Sequence, residues 1–266
     1  MSSSNRQSKT GNRKSPVVVV GSGPPLVLVP GIQGRWEWMR PAVRALAGRF
    51  RVITFSLTPD VPPFDRQVEQ VVEGMDRAGA VRAVVCGVSY GGLVALRCAA
   101  THPSRVSALV LVSTPGPYWT PDDRSTRYVS KPWLSVPAFA VGARSRLWHE
   151  VSAAHHGSGG RWLKLGRYLC SVGTHPPWPP HMARRVEALA GRDFASDARA
   201  VSAPTLVLTG EAELDRVVPV AGTLEYAGLI PGARSRILEG TGHIGLVTRS
   251  EEFAAAIAKF VFDTAP

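Results

Sequence analysis

The sequence predicts an α/β fold: a mostly parallel, twisted sheet flanked by helices on both faces, with an inserted helical cap. Three observations predict it. Short, continuously apolar, β-branched runs recur along the 266 residues, as strands buried on both faces do. Segments with apolar residues at helical spacing alternate with them. Between about 117 and 182 this rhythm breaks into a stretch holding five of the seven tryptophans, several prolines and the loop HHGSGG.

In chain order, PVVVV (16–20) and PLVLV (25–29) are strands around the turn GSGPP. Two prolines follow that Gly-Ser-Gly where a nucleotide loop would start a helix, so a nucleotide-binding reading is set aside. Residues 35–48 carry Trp, Met, Val and Leu at helical spacing, and RVITFS (51–56) is the third strand. In DRQVEQVVEGMDRAG (65–79), Val68, Val71, Val72 and Met75 fall on one face of an amphipathic helix. A strand over 82–87, a glycine turn and a helix from about 90 to 101 come next. SALVLVSTP (107–115), SAPTLVLTG (202–210) and SRILEG (235–240) are the remaining strands. SEEFAAAIAKFVF (250–262) closes the chain as a helix with Phe253, Ala256, Ile257 and Phe260 on one face. The expected division is a basic tail (1–15), a core (16–116 and 183–266) and a helical cap (117–182).

Composition excludes several classes. No run approaches the ~18 consecutive apolar residues of a membrane span. The tail MSSSNRQSKTGNRKS has no apolar segment, so it reads as disordered rather than as an export signal, and a cytoplasmic location is expected. The net charge of +11 invites a nucleic-acid partner, but 26 of the 31 basic residues are arginines scattered along the chain, with no basic stripe on a recognisable motif. Cys86, Cys98 and Cys170 show no metal-ligand spacing; Cys86, in the apolar strand, and Cys98, in the following helix, read as small buried apolar residues. His155-His156 lacks a spaced carboxylate or cysteine partner, so no metal site is expected.

The chemistry starts at VVCGVSYGGLVAL (84–96), where one hydroxyl sits between glycines at the end of a buried strand. G-x-S-x-G between a strand and a helix lifts the serine clear of the sheet on a sharp, strained turn. A side chain at Gly87 or Gly91 would strike the neighbouring strand or helix. The N–H groups of the helix starting at Tyr90 then face any anion forming beside Ser89. A serine needs a base, and the base needs an orienting carboxylate. His243, in the glycine-flanked loop EGTGHIG, is the one histidine of seven so placed; Asp215 follows the strand ending at Gly210.

PGIQG (30–34), GVSYGG (87–92), LVLTGEAELDRVVP (206–219) and GTGHIG (240–245), in this order, resemble the motifs of the α/β-hydrolase superfamily from about residue 16 to 262. The resemblance implies Ser89 as nucleophile, His243 as general base and Asp215 as orienting acid. It also implies an oxyanion hole from the Ile32 and Tyr90 N–H groups, and no cofactor or metal. Pro30-Gly31 stands where the family usually has His-Gly, which leaves backbone donors intact. Asp215 lies five residues past Gly210 where three is common, so Glu211 and Glu213 are alternatives; Asp-Arg-Val-Val-Pro matches the family's D-x-x-V-P run.

The expected activity is hydrolysis of a carboxylic ester or related acyl compound through an acyl-enzyme. Serine rather than aspartate at 89 argues against dehalogenase and epoxide-hydrolase chemistry. A lactonase, C–C bond hydrolase, perhydrolase or acyltransferase would use the same triad, and a small-ligand sensor would keep the same scaffold. The aromatic-rich cap suggests an apolar acyl or aryl pocket, with Trp119, Trp133 and Trp148 as candidate lining residues. Its eight basic residues against three acids fit carboxylate-bearing substrates, an anionic lipid surface or solvated helix faces.

Overall fold

The computed structural model describes residues 16–58, 64–134, 150, 174–176 and 178–264. Seven strands make one sheet: β1 (Val17–Val20), β2 (Pro25–Val29), β3 (Arg51–Phe55), β4 (Ala83–Val88), β5 (Val106–Val112), β6 (Thr205–Thr209) and β7 (Arg234–Ile237). Their order is β1-β3-β2-β4-β5-β6-β7. Only β1 runs antiparallel, with Val18 opposite Thr54 of β3; the other pairings are parallel. Among the described residues the α-helices are α1 (Arg40–Ala47), α2 (Phe64–Arg77), α3 (Tyr90–Thr101), α4 (Asp123–Ser130), α5 (Pro179–Glu187), α6 (Phe194–Ala200), α7 (Val220–Leu229), α8 (Gly245–Thr248) and α9 (Ser250–Thr264).

Side chains alternate across each strand, so one apolar run feeds two cores. Val27, Val29, Val85 and Leu111 face α2, α3, α6 and α7. Leu26, Leu28, Cys86 and Val110 face α1 and α9. Phe253, Ala256, Ile257 and Phe260 are all buried as expected, whereas Val72 of α2 is only half-buried. Two strands end three residues earlier than the sequence suggests. β5 stops at Val112 because Ser113 turns to φ 41, and β7 stops at Ile237. All four residues of β7, Arg234 to Ile237, are exposed at the sheet's edge.

The chain passes from β2 outward to β3 by α1 on one face, then returns by α2 on the other face to place β4 beside β2. Loops leaving neighbouring strands toward opposite faces open a crevice at their carboxyl ends, where open α/β sheets bind ligands. The loops after β2 and β4 are PGIQG and the turn at Ser89.

The expected tail, 1–15, lies outside the described residues, as do most of residues 117–182. Within that stretch Asp122 caps α4 through the Ser125 N–H at 2.7 Å, and the Tyr128 hydroxyl reaches Pro179 O of α5 at 3.4 Å. The boundary expected at 182 falls inside α5. No described helix is long and apolar enough to cross a membrane.

Candidate active site

Ser89 joins β4 to α3 at φ 53, ψ −123. Such a backbone costs about 1–3 kcal/mol and persists only where its surroundings enforce it. Its N–H is tied to Val112 O at 2.8 Å, and the glycines around it have no room for a side chain. A Cβ at Gly87 would meet the Gly91 carbonyl, one at Gly91 the Pro30 carbonyl, and one at Gly92 the Thr114 hydroxyl. A Cβ built on Gly31 would lie 3.5 Å from Ser89 Cβ, which puts the PGIQG loop beside the hydroxyl-bearing residue. That loop is closed by Gly34 N–H on Gly31 O at 2.8 Å, and its own Gly34 O accepts from Leu57 N–H at 2.8 Å. Neither the Ile32 nor the Tyr90 backbone N–H is engaged by another described residue.

In the loops that follow β6 and β7, His243 Nδ1 lies 3.2 Å from Asp215 Oδ2; the carboxylate is fully buried and the imidazole 13% exposed. The other carboxylate oxygen, Oδ1, accepts the N–H groups of Val217 and Val218, both at 3.0 Å. Burial alone would raise the Asp215 carboxyl, but the His243 hydrogen bond and charge, with those two N–H donors, outweigh it and hold it below its ordinary value. The two loops are locked together by backbone: Glu211 N–H donates to Thr241 O at 2.8 Å, and a Cβ at Gly242 would lie 2.5 Å from Leu214 O. The alternative acids have other positions. Glu211 Oε1 accepts the Gly240 N–H at 2.7 Å, bracing the loop that carries His243, and Glu213 is exposed.

The aromatic candidates are less concentrated. Trp119 is half-buried against the core cluster containing α2 and α3. Trp133 is 54% exposed and sets its ring edge-on to Trp178, centroids 4.8 Å apart. Trp148 lies outside the described residues, as do Cys170 and His155-His156. Cys86 and Cys98 are buried free thiols; burial pushes both up, Cys98 to about 12, which removes them as nucleophiles near neutral pH. Among the described residues no cluster of His, Cys, Asp and Glu could hold a metal ion.

A family model described as the alpha/beta hydrolase family matches residues 26–256. The chain belongs to the alpha/beta hydrolase family. A Caulobacter sp. (strain K31) protein named carbamate hydrolase RutD is 29% identical over 261 residues, 89% of this chain and 90% of that protein. A 2-hydroxymuconate semialdehyde hydrolase from Pseudomonas putida is 28% identical over 202 residues, 74% of this chain and 68% of that enzyme. The crystal structure of the enol-lactonase from Burkholderia xenovorans LB400 superposes with a TM-score of 0.77 over 93% of this chain and 96% of that one, at 22% identity.

Two buried charges of this hydrolase were not singled out by the sequence. Glu150, fully buried, accepts the Thr241 hydroxyl at 2.8 Å and the Ile244 N–H at 2.9 Å through Oε1. Its Oε2 is buried without a partner. Burial raises its carboxyl, against the pull of Thr241, the Gly242 and Ile244 N–H groups and the His243 charge. Arg185 of α5, 2% exposed, donates from Nη1 to Ile32 O at 2.7 Å. In the sequence Glu150 is one of three acids in a basic stretch, and Arg185 one arginine among 26. Only the tertiary structure singles them out.

Proposed function

We propose that this alpha/beta hydrolase is a serine hydrolase that cleaves a carboxylic ester or related acyl compound with Ser89, His243 and Asp215. One observation carries the reading: a buried carboxylate, fixed by two backbone N–H groups, faces His243 Nδ1 in a sheet whose strained turn presents a serine. Asp215 keeps the proton on Nδ1, leaving Nε2 as the base. Ser89 Oγ attacks the carbonyl carbon as its proton passes to Nε2, and the carbonyl oxygen takes the negative charge. The Ile32 and Tyr90 N–H groups stabilise that oxyanion; one such donor is typically worth about 2.7–4 kcal/mol of barrier. His243 then protonates the departing alkoxide, giving the acyl-enzyme. Water, deprotonated by the same nitrogen, attacks the acyl carbon, and Ser89 leaves with its proton restored.

The relatives are named for a carbamate, a semialdehyde and an enol lactone, so the bond type rests on the site and its surroundings. An apolar or aromatic acyl group, seated against the aromatic side chains of residues 117–182 with Trp119, Trp133 and Trp148 as candidates, fits their density there. The test pairs a fluorophosphonate probe with aryl esters of rising acyl length. The wild type labels at Ser89 and turns esters over, and Ser89→Ala does neither. A wild type that stays unlabelled and inert while binding small apolar ligands would establish the sensor instead.

A further inference from the structure

Arg185 carries a guanidinium buried inside the fold. No carboxylate among the described residues pairs with it, and its Nε has no partner. Burial lowers its pKa to about 10, so it enters the interior charged at neutral pH. An unpaired buried cation is among the more expensive groups a fold can hold, and an apolar side chain of similar volume often serves packing better. The fork spans two loops. Nη1 donates to Ile32 O at 2.7 Å, while Nη2 reaches Thr58 O at 3.3 Å and Leu57 O at 3.5 Å. The same planar group fills the space over Gly34 (φ 70), where a Cβ would lie 2.5 Å from Nη2 and 2.6 Å from Cζ. The PGIQG loop after β2 is therefore cross-linked to the end of β3 by a side chain of α5, far away in sequence.

Resting on the hydrolase reading above, we infer that Arg185 is a positioning residue for the oxyanion hole: by gripping the Ile32 carbonyl it anchors the peptide unit after Ile32, while the Gly34 N–H on Gly31 O holds the unit that carries the Ile32 N–H, so the donor is set before the substrate arrives. The physical reason is preorganisation. A donor aimed in advance at the developing charge needs no reorganisation during reaction, and a displacement of about 1 Å can cost about a hundredfold. Three acceptors on two loops define both the height and the tilt of the peptide chain at Ile32. Lysine, with a single flexible ammonium, would reach one or two of them.

The experiment compares full-length wild type, Arg185→Met and Arg185→Lys. It measures thermal midpoint, kcat and KM on a short aryl ester, fluorophosphonate labelling rate, and affinity for an aryl trifluoromethyl ketone, whose serine adduct carries an oxyanion. We expect folded variants in which kcat falls about 10- to 100-fold for Met and less for Lys, with KM within about threefold. Ketone affinity should weaken in step with kcat/KM, a correspondence that a purely structural role would not produce. Folded Met protein with kcat and ketone affinity within about twofold of wild type overturns the inference, as does failure of both variants to fold, which would make Arg185 a structural residue. If the wild type itself is not labelled at Ser89, the serine-hydrolase reading fails instead. Normal wild-type labelling with unimpaired variants defeats only the role of Arg185.

Discussion

Asp215, Glu211 and Glu213 share one short loop but sit in different surroundings, and on the proposed triad only the first should be essential. Asp215→Asn should lower kcat by about a thousandfold to ten-thousandfold, because the amide no longer holds the proton on Nδ1. Glu211→Gln keeps an oxygen for the Gly240 N–H and should stay within about tenfold, while Glu213→Gln, exposed, should be near neutral. Steady-state kinetics on one aryl ester checks all three. Glu150 separates charge from hydrogen bonding in the same way. Its carboxyl is raised, so its contribution to stability is present below the unfolded carboxyl value and is lost as pH rises through the folded one. Glu150→Gln keeps an acceptor for Thr241 and Ile244 while removing that ionisation. Its thermal midpoint should exceed wild type at pH 8, by about 2–4 °C for each kcal/mol relieved, and the gap should close below pH 4.5. Glu150→Ala strands both donors and should lower midpoint and kcat together. A pH-independent difference between Gln and wild type would argue against the charge account.

The strand–turn–helix unit at Ser89 depends on glycines whose missing side chains are occupied by backbone. Gly87→Ala places a methyl against the Gly91 carbonyl, and neither backbone can yield without tilting Ser89. The expected result is a loss of about 1–3 kcal/mol or more by urea unfolding, with labelling lost in whatever protein folds. This unit was legible in the sequence because strand, glycines and serine are contiguous and each answers to a local steric rule. The strands were legible for a similar reason: a run such as PLVLV has no polar face, so only a doubly covered position suits it. Helices α6 and α7 gave no such signal. VAGTLEYAGL is apolar nearly all round and shows no period, though it forms α7. α6 is seven residues long, capped by the Asp193 carboxylate on the Ser196 N–H. Early ends of β5 and β7 were equally hidden, since a turn at Ser113 is imposed by its neighbours rather than by its own chemistry. The site divides along the same line. The proposed triad lies in contiguous motifs, whereas Glu150 and Arg185 acquire meaning only through partners about 90 and 150 residues away.

Across the whole molecule, acid stability should follow the carboxylates whose values are depressed. Asp215 is lowered by His243 and its backbone donors against burial, and Asp65 by Arg192 and Arg97, again against burial. A depressed acid contributes stability above its unfolded value, here 3.8, and that contribution is lost as pH falls through the folded one. Calorimetry from pH 6 to 3 should therefore show wild type approaching Asp215→Asn below pH 3.8; a constant separation would contradict this origin. The outermost strand carries a last consequence. Among the described residues β7 leaves one line of N–H and C=O groups open along four residues, two of them arginines, and a free line of this kind invites a neighbouring copy to dock and extend the sheet. Paired guanidinium groups on so brief a strand repel an identical approaching chain, so the protein's solubility when concentrated or heated depends partly on Arg234 and Arg236. Replacing both with threonine should leave turnover intact and bring turbidity on at a lower temperature.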